Sequence, residues 1–178
     1  MTAGPADHDR TGESAGNSHV PTIRSILGGI LRNDRVDADG FRISLWSGFY
    51  TTPMFNKIER TYGLLRDENN ILFCLAFDGQ LTAKSISDVL GRPKNSISRA
   101  VEQLLRKELI RREPVKSDRR WALLTIEPAG LAVIEKTSAL FRQRENEMLK
   151  CLSPVERVAL DHILAKLIQD AEHWLKPF

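Results

Sequence analysis

One helical stripe constrains this chain more than any other feature. Ile97, Ala100, Val101, Leu104 and Leu105 recur at i, i+3, i+4, i+7 and i+8, the spacing of a single buried helix face. Pro93 suits the first helical position, where its missing N–H costs nothing, so the spacing predicts a helix over residues 93–107. The opposite face carries Asn95, Arg99, Glu102 and Arg106, with Ser96 and Ser98 at its edges. Directly upstream, Thr82 is a good N-cap, and Ile86, Val89 and Leu90 form a short apolar face. Gly91 follows and can take the left-handed conformation that stops a helix. Two helices joined by a short turn containing glycine make a helix-turn-helix.

Downstream, residues 109–115 and 121–126 read as β-prone runs around the polar turn segment Lys116-Ser117-Asp118-Arg119-Arg120. A hairpin with a basic tip behind such a helix pair is a wing, here over residues 110–126. Residues 82–126 hold 11 Lys/Arg against 5 Asp/Glu, a local +6, while the whole chain carries +3, so the remainder sums to −3. A basic surplus confined to one unit is the footprint of a surface that binds a polyanion. The residue types suit double-stranded DNA. Asn pairs with adenine N6 and N7, Arg pairs with guanine O6 and N7, and such helices offer their N-terminal residues to base edges. The expected contacts are Lys94, Asn95, Ser96, Ser98, Arg99 and Arg106 on the helix, with Lys116, Asp118, Arg119 and Arg120 on the wing. Arg120 is expected in a minor groove, oriented by Asp118, with Arg119 on phosphate. A solvated polar face is the plainer reading of the helix alone; its upstream partner and the wing tip the balance.

Ser98-Arg99-Ala100-Val101, Leu109-Ile110-Arg111-Arg112, Asp118-Arg119-Arg120 and Pro128-Ala129-Gly130 together resemble the MarR family of winged helix-turn-helix transcription regulators. The likeness extends from about Leu45 to the C-terminus, and Glu59-Arg60-Thr61-Tyr62-Gly63-Leu64 is similar to the end of that family's first helix. One departure is Ile126-Glu127, where the family usually has Leu-Thr. Threonine would cap the next helix; glutamate is not a favoured cap, although its charge suits a helix N-terminus. The resemblance implies a mainly α fold with a small β-hairpin wing. Helices over residues 41–66 and 128–178 would form a dimer around the winged unit at 67–127. It implies a homodimeric repressor on a pseudo-palindromic operator, released by a small aromatic or anionic effector held between the dimer helices and the DNA-binding lobe. Arg42 or Arg66 would meet an anion, and Trp46, Phe49 and Tyr50, which cluster with Phe55 on the long N-terminal helix, would line the pocket. Ordinary dimer core is the competing reading for each aromatic.

Around this unit, residues 1–20 are rich in Gly, Ser, Thr, Asp and Asn and read as a disordered tail. Residues 21–40 form an N-terminal extension: a short helix over 21–31, weakened by Gly28-Gly29, then a polar connector. A long helix over 41–62 follows, kinked or restarted at Pro53 and ended by Gly63. Residues 67–77 are the next helix, with Asp78-Gly79 as its turn. The C-terminal part reads as two long helices. The first runs from Pro128 to about Leu149; the second starts at the capping box Ser153-Pro154-Val155-Glu156. Its stripe of Leu160, Ile163, Leu164, Leu167, Ile168, Ala171, Trp174 and Leu175 is wider than one small domain covers and is expected to bury against a twin subunit.

Composition excludes several classes. A chain of 178 residues that is 42% apolar fits one domain with tails. No apolar run approaches the roughly 18 residues of a membrane span, and the N-terminus lacks the regions of a signal peptide, so a cytoplasmic protein is expected. Two cysteines do not make a disulfide framework. Cys74 reads as a core thiol; Cys151, beside Lys150, leaves a thiol-based redox regulator as an alternative. His162 and His173, taken to share the last helix, are too far apart to hold one metal ion. No metal, cofactor or catalytic constellation is expected. A winged-helix module that binds protein in place of DNA is the remaining alternative.

Overall fold

The computed structural model describes residues 22–32, 38–115 and 118–174. The expected tail at 1–20, the wing-tip residues Lys116 and Ser117, and Leu175 lie outside the described residues. The chain divides into two compact units, Met1–Ser44 and Leu45–Phe178.

In the first unit, α1 (Ile23–Leu31) starts at Thr22, whose Oγ1 accepts from the Ser25 N–H at 3.3 Å. Gly28 and Gly29 stay helical within it. α2 (Ala38–Tyr62) begins here, three residues before the expected 41, with Asp39 in its first turn, where a carboxylate suits the helix dipole. Arg42 donates to Asp39 and to the Leu31 carbonyl, each at 3.2 Å.

The second unit holds the rest of α2, then α3 (Arg66–Asp78), β1 (Gln80–Thr82), α4 (Ala83–Leu90), α5 (Lys94–Arg106), β2 (Ile110–Val115), β3 (Asp118–Ile126), α6 (Pro128–Met148), a 3₁₀ turn (Leu149–Cys151), α7 (Pro154–Gln169) and α8 (Ala171–Trp174). The core joins Ile58 of α2, Ile71, Leu72 and Leu75 of α3, Ile86 of α4, Ile97, Val101 and Leu104 of α5, Leu124 of β3 and Ile134 of α6. The α5 stripe is buried as its spacing requires, with Leu105 partly covered. This is a winged helix-turn-helix.

The wing differs from a simple hairpin. Its antiparallel sheet has three strands in the order β1-β3-β2, with Leu81 opposite Leu124 and Arg112 opposite Leu124 on the other side. β1 has only three residues, too few for an alternating pattern to register. Asp118, Arg119 and Arg120, expected in the turn, are strand residues of β3. The ladder is irregular there: Pro114 faces Ala122, yet Val115 faces Asp118.

Three other expectations need correction. Of the kink or fresh start expected at Pro53, the fresh start does not occur; the helix runs through it. Proline leaves the carbonyl four residues earlier without its N–H partner, and Arg144 of α6 donates to that Phe49 carbonyl at 3.1 Å. Pro93 is the N-cap of α5 and not its first residue; its carbonyl accepts from the N–H groups of Ser96 and Ile97. The last helix is interrupted at Asp170, a residue type that competes poorly for helix interiors, so His162 lies on α7 and His173 on α8, paired with Asp170 at 2.8 Å. The capping box at Ser153 and Glu156 is present, but nothing on α7 is buried, and Val155, Val158, Ile163 and Ile168 are more than half exposed. Among the described residues no helix is long and apolar enough to cross a membrane.

Candidate nucleic-acid interface and the adjoining cavity

The turn between α4 and α5 aims the polar face of α5. Thr82 caps α4, its Oγ1 accepting from Ser85 N–H at 3.0 Å. Gly91 sits at φ 59° and ψ 29°, the left-handed conformation expected of it. Gly91 N–H donates to Asp88 O and Arg92 N–H to Ser87 O, closing a Schellman motif. Ser87, nearly buried, also donates through its hydroxyl to the Arg92 carbonyl at 2.7 Å. Arg92 in turn forks onto Asp67 of α3, Nε to Oδ1 at 2.9 Å and Nη2 to Oδ2 at 3.1 Å. Asp67 thereby fixes the turn to α3 and holds the guanidinium firmly protonated.

From this fixed start α5 exposes Lys94, Asn95, Ser98 and Arg99 in its first two turns and Arg106 in its last; Ser96 is half-buried. Its first turn contains no acidic residue, so the positive end of the helix dipole is uncompensated. Arg99 makes no ion pair with any described residue. Glu102, on the same face, is held by Arg112 of β2 at 2.8 Å. Arg99 and Ser96 also line a groove of about 530 Å³ with Arg66 and Arg92. Lys94 and Ser98 line a smaller cleft against Ala83 and Lys84.

The wing stem uses its cations internally. Arg111 pairs with Glu113 at 2.8 Å and Glu127 at 3.1 Å. Glu127 therefore gives α6 no side-chain cap, as expected of glutamate there; it serves the stem instead. The side chains of Asp118, Arg119 and Arg120 lie outside the described residues, so the expected pairing of Asp118 with Arg120 does too.

A second feature adjoins this unit. A cavity of about 640 Å³ lies between α2, α3 and α6. Ser47, Tyr50, Thr51 and Phe55 reach it from α2 at helical spacing, and Phe141 closes it from α6, with ring centroids 5.9 Å from Tyr50 and 5.6 Å from Phe55. Burial, and then the charge of Glu145, push the Tyr50 hydroxyl above its ordinary range. Arg66 stacks over Phe55 at 4.7 Å. Of the residues expected in an effector pocket, Tyr50 and Arg66 line this cavity. Trp46 and Phe49 do not: both are exposed, and Phe49 lies about 100° around the helix from Tyr50. Arg42 belongs to the first unit, paired with Asp39. The sequence reading missed Asn69, Arg92 and Arg142 as lining residues, because their approach depends on the packing of α3 and α6. The cysteines separate as well. Cys74 is half-buried, its thiol pushed up by burial and then by Asp78. Cys151 is exposed, but the neighbouring Lys150 is taken by both oxygens of Glu147.

Residues 62–120 match the model of the MarR family. The matched segment, a third of the chain, runs from the end of α2 to the wing and includes the α4–α5 pair, which agrees with the resemblance carried by its motifs. The fold is shared more widely. A MarR transcriptional regulator from Methanosarcina mazei Go1 superposes with a TM-score of 0.71 at 18% identity, over 78% of this chain and 99% of that one. A mutant MarR from E. coli, solved in complex with operator DNA, gives 0.60 at 20% identity, over 71% and 91%. BpsR of Bordetella bronchiseptica, whose DNA binding is described as regulated by 6-hydroxynicotinic acid, gives 0.57 at 20%, over 71% and 98%. No curated protein matches the chain.

Proposed function

We propose that this chain is a cytoplasmic, homodimeric transcription regulator and not an enzyme: a repressor that binds a pseudo-palindromic operator through α5 and the wing. The observation that carries this reading is a sorting of charge. Arg92, Arg111 and Arg112 are each tied to an internal carboxylate, whereas Arg99 is exposed at the reading end of α5 beside Asn95 and Ser98 and is tied to none among the described residues. Residues 41–66 and 128–178 supply the dimer helices, for which the uncovered apolar side chains of α7 are the support. The cavity beside Tyr50 and Arg66 is the effector site, and a ligand bound better by the state with mis-spaced reading helices would release DNA.

Fluorescence anisotropy with duplexes from the neighbouring genomic region tests the reading. Arg99→Ala should cost about 1–3 kcal/mol on the cognate site and relax base preference there, with unchanged melting. Arg119→Ala should lower the salt slope by about one unit if it meets phosphate. Arg120→Ala should weaken binding more than Asp118→Ala. Wild-type affinity for Arg99→Ala and Arg120→Ala on a verified operator would remove both elements from the reading surface. A well-behaved 20.1 kDa monomer in light scattering at micromolar concentration would refute the dimer.

A further inference from the structure

We infer that Asp67 and Glu68 are positioning residues for DNA reading: side by side in the first turn of α3, they hold the two ends of α5 and set the direction in which its polar face points. This rests on the DNA-binding reading given above and deepens it. The two ties start from consecutive residues of one helix and end at opposite ends of another. Asp67 holds Arg92, which directly precedes the N-cap Pro93, through a two-bond fork of 2.9 and 3.1 Å. Glu68 holds Lys107, the C-cap residue, with its two oxygens at 3.0 and 2.8 Å. Between them α5 has 13 residues, a length of about 20 Å. Both carboxylates are held in place: the side chain of Asp67 is 13% exposed and that of Glu68 1%. Glu68 Oε2 also accepts the Leu65 N–H at 2.8 Å, which makes it part of the α3 N-terminus. Lys107 donates as well to the Gly63 carbonyl at 2.8 Å, at the joint between α2 and α3.

These ties do what apolar packing does not. Ile97, Val101 and Leu104 decide which face of α5 is buried. They leave its tilt loosely set, since the crossing angles of packed helices scatter by about 15–20°. A tilt of that size about the middle of α5 moves its end by roughly 3 Å. A side chain that must meet a base edge tolerates about 0.5 Å. Two ion pairs, one at each end and both anchored on α3, remove that freedom. Asn95 and Arg99 lie within two turns of the Arg92 tie, so their aim depends on it most directly. The sign of the effect separates aim from charge. Asp67 is a carboxylate near a surface that binds a polyanion, so removing its charge favours DNA of any sequence. Removing a positioning residue harms binding to the correct sequence alone.

The test measures the full chain by fluorescence anisotropy on its operator duplex and on a scrambled duplex of equal length. Asp67→Asn should weaken operator binding about tenfold and leave the scrambled duplex unchanged or bound up to a few-fold more tightly. A carboxylate with only an electrostatic role would tighten both when removed. One with only a role in folding would lower Tm and leave the ratio of the two affinities intact. Asp67→Asn combined with Arg99→Ala should lose less than the product of the separate losses, since a mis-aimed α5 has less to lose at Arg99. Glu68→Gln, measured well below its own melting transition, should lower the same ratio. Should Asp67→Asn fail to fold, Arg92→Lys takes its place in every measurement; it keeps the charge, gives up the fork, and should lower the ratio several-fold. Amide exchange without DNA is the independent arm. In Asp67→Asn the N–H groups of Ser96 and Ile97, both bonded to the Pro93 carbonyl, should exchange at least several-fold faster, while those of α6 stay as in the wild type. A wild-type ratio in Asp67→Asn, an effect at Asp67 without one at Glu68, or unchanged exchange at Ser96 and Ile97 overturns the inference. Failure of the wild type to bind any duplex would be a failure of the DNA reading; exchange, read without DNA, then decides the mount by itself.

Discussion

Replacing Gly130 with alanine sets a local rule against a packing rule, and the two predict opposite signs. Gly130 lies in the first turn of α6, where alanine is the better helix former by about 0.8–1.0 kcal/mol. A Cβ built there would lie 2.3 Å from the Leu109 carbonyl oxygen and 2.8 Å from Ile126 Cγ1. An ordinary carbon–oxygen contact is about 3.3–3.6 Å, so strand and helix must part by roughly 1 Å. The same Leu109 oxygen accepts the Glu127 N–H at 2.9 Å, and the separation strains that bond. Overpacking costs about 1–3 kcal/mol and a lost hydrogen bond about 1 kcal/mol. After subtracting the helix gain, Gly130→Ala should destabilise by about 1–3 kcal/mol, a fall of roughly 3–10 °C in Tm for a domain of this size. Thermal denaturation followed by circular dichroism at fixed protein concentration reads it. Gly48 is the control. It lies inside α2 with nothing within 4 Å of a built Cβ, so Gly48→Ala should raise stability by about 1 kcal/mol. A Tm for Gly130→Ala at or above wild type would show that the close approach of Leu109 does not constrain this position.

Lys107 Nζ bonds to both carboxylate oxygens of Glu68, at 3.0 and 2.8 Å, and to the Gly63 carbonyl. Since Glu68 is 1% exposed, Lys107→Met should destabilise by about 2–4 kcal/mol in urea melts, and adding Glu68→Gln should recover part of it; additive losses would refute the coupling. Glu108 occupies a left-handed position, φ 56°, in a Schellman motif closed by Leu109 N–H to Leu104 O and Glu108 N–H to Leu105 O. Glycine fills the equivalent place after α4, so Glu108→Gly should stabilise by about 0.5–1 kcal/mol, and a loss of stability would count against a strain at that residue. In the native protein at neutral pH, Cys151 should react with a disulfide reagent at least about tenfold faster than Cys74, whose thiol burial and Asp78 hold protonated; equal rates would mean that Cys74 is accessible.

What could be read from the sequence was what is carried by near neighbours. The α5 stripe, the Thr82 and Ser153 caps and the Gly91 stop each rest on residues within two turns of one another, and each is present. Features with distant partners were not legible. Glu68 and Lys107 are 39 residues apart, Asp67 and Arg92 25, and neither pair has a spacing that marks it. β1 is visible only as the partner of β3. Which aromatic residues line the cavity was not legible for the same reason. Aromatic residues on α2 could be counted, but which of them face α6 depends on the rotation of the helix, and that selected Tyr50 and Phe55 over Trp46 and Phe49.

Pro53 shows how such a distant partner overrides a local rule. Inside a helix, proline removes one backbone bond and costs about 3 kcal/mol or more, which is why a fresh start is one local expectation. Here the carbonyl it orphans belongs to Phe49, and Arg144 reaches across from α6 to satisfy it with a charged donor. The helix can then continue past the proline, which acquires a use: it leaves on α2 a backbone acceptor that a full ladder of helix bonds would have consumed. α2 and α6 are the two walls that bring Tyr50 and Phe141 together, so the bond from Arg144 to Phe49 ties the cavity's walls one turn from its rings. A substitution at Pro53 that restored the N–H would return the Phe49 carbonyl to its own helix and compete with that tie. Local helix stability and the fixed spacing of α2 and α6 therefore pull in opposite directions at this residue.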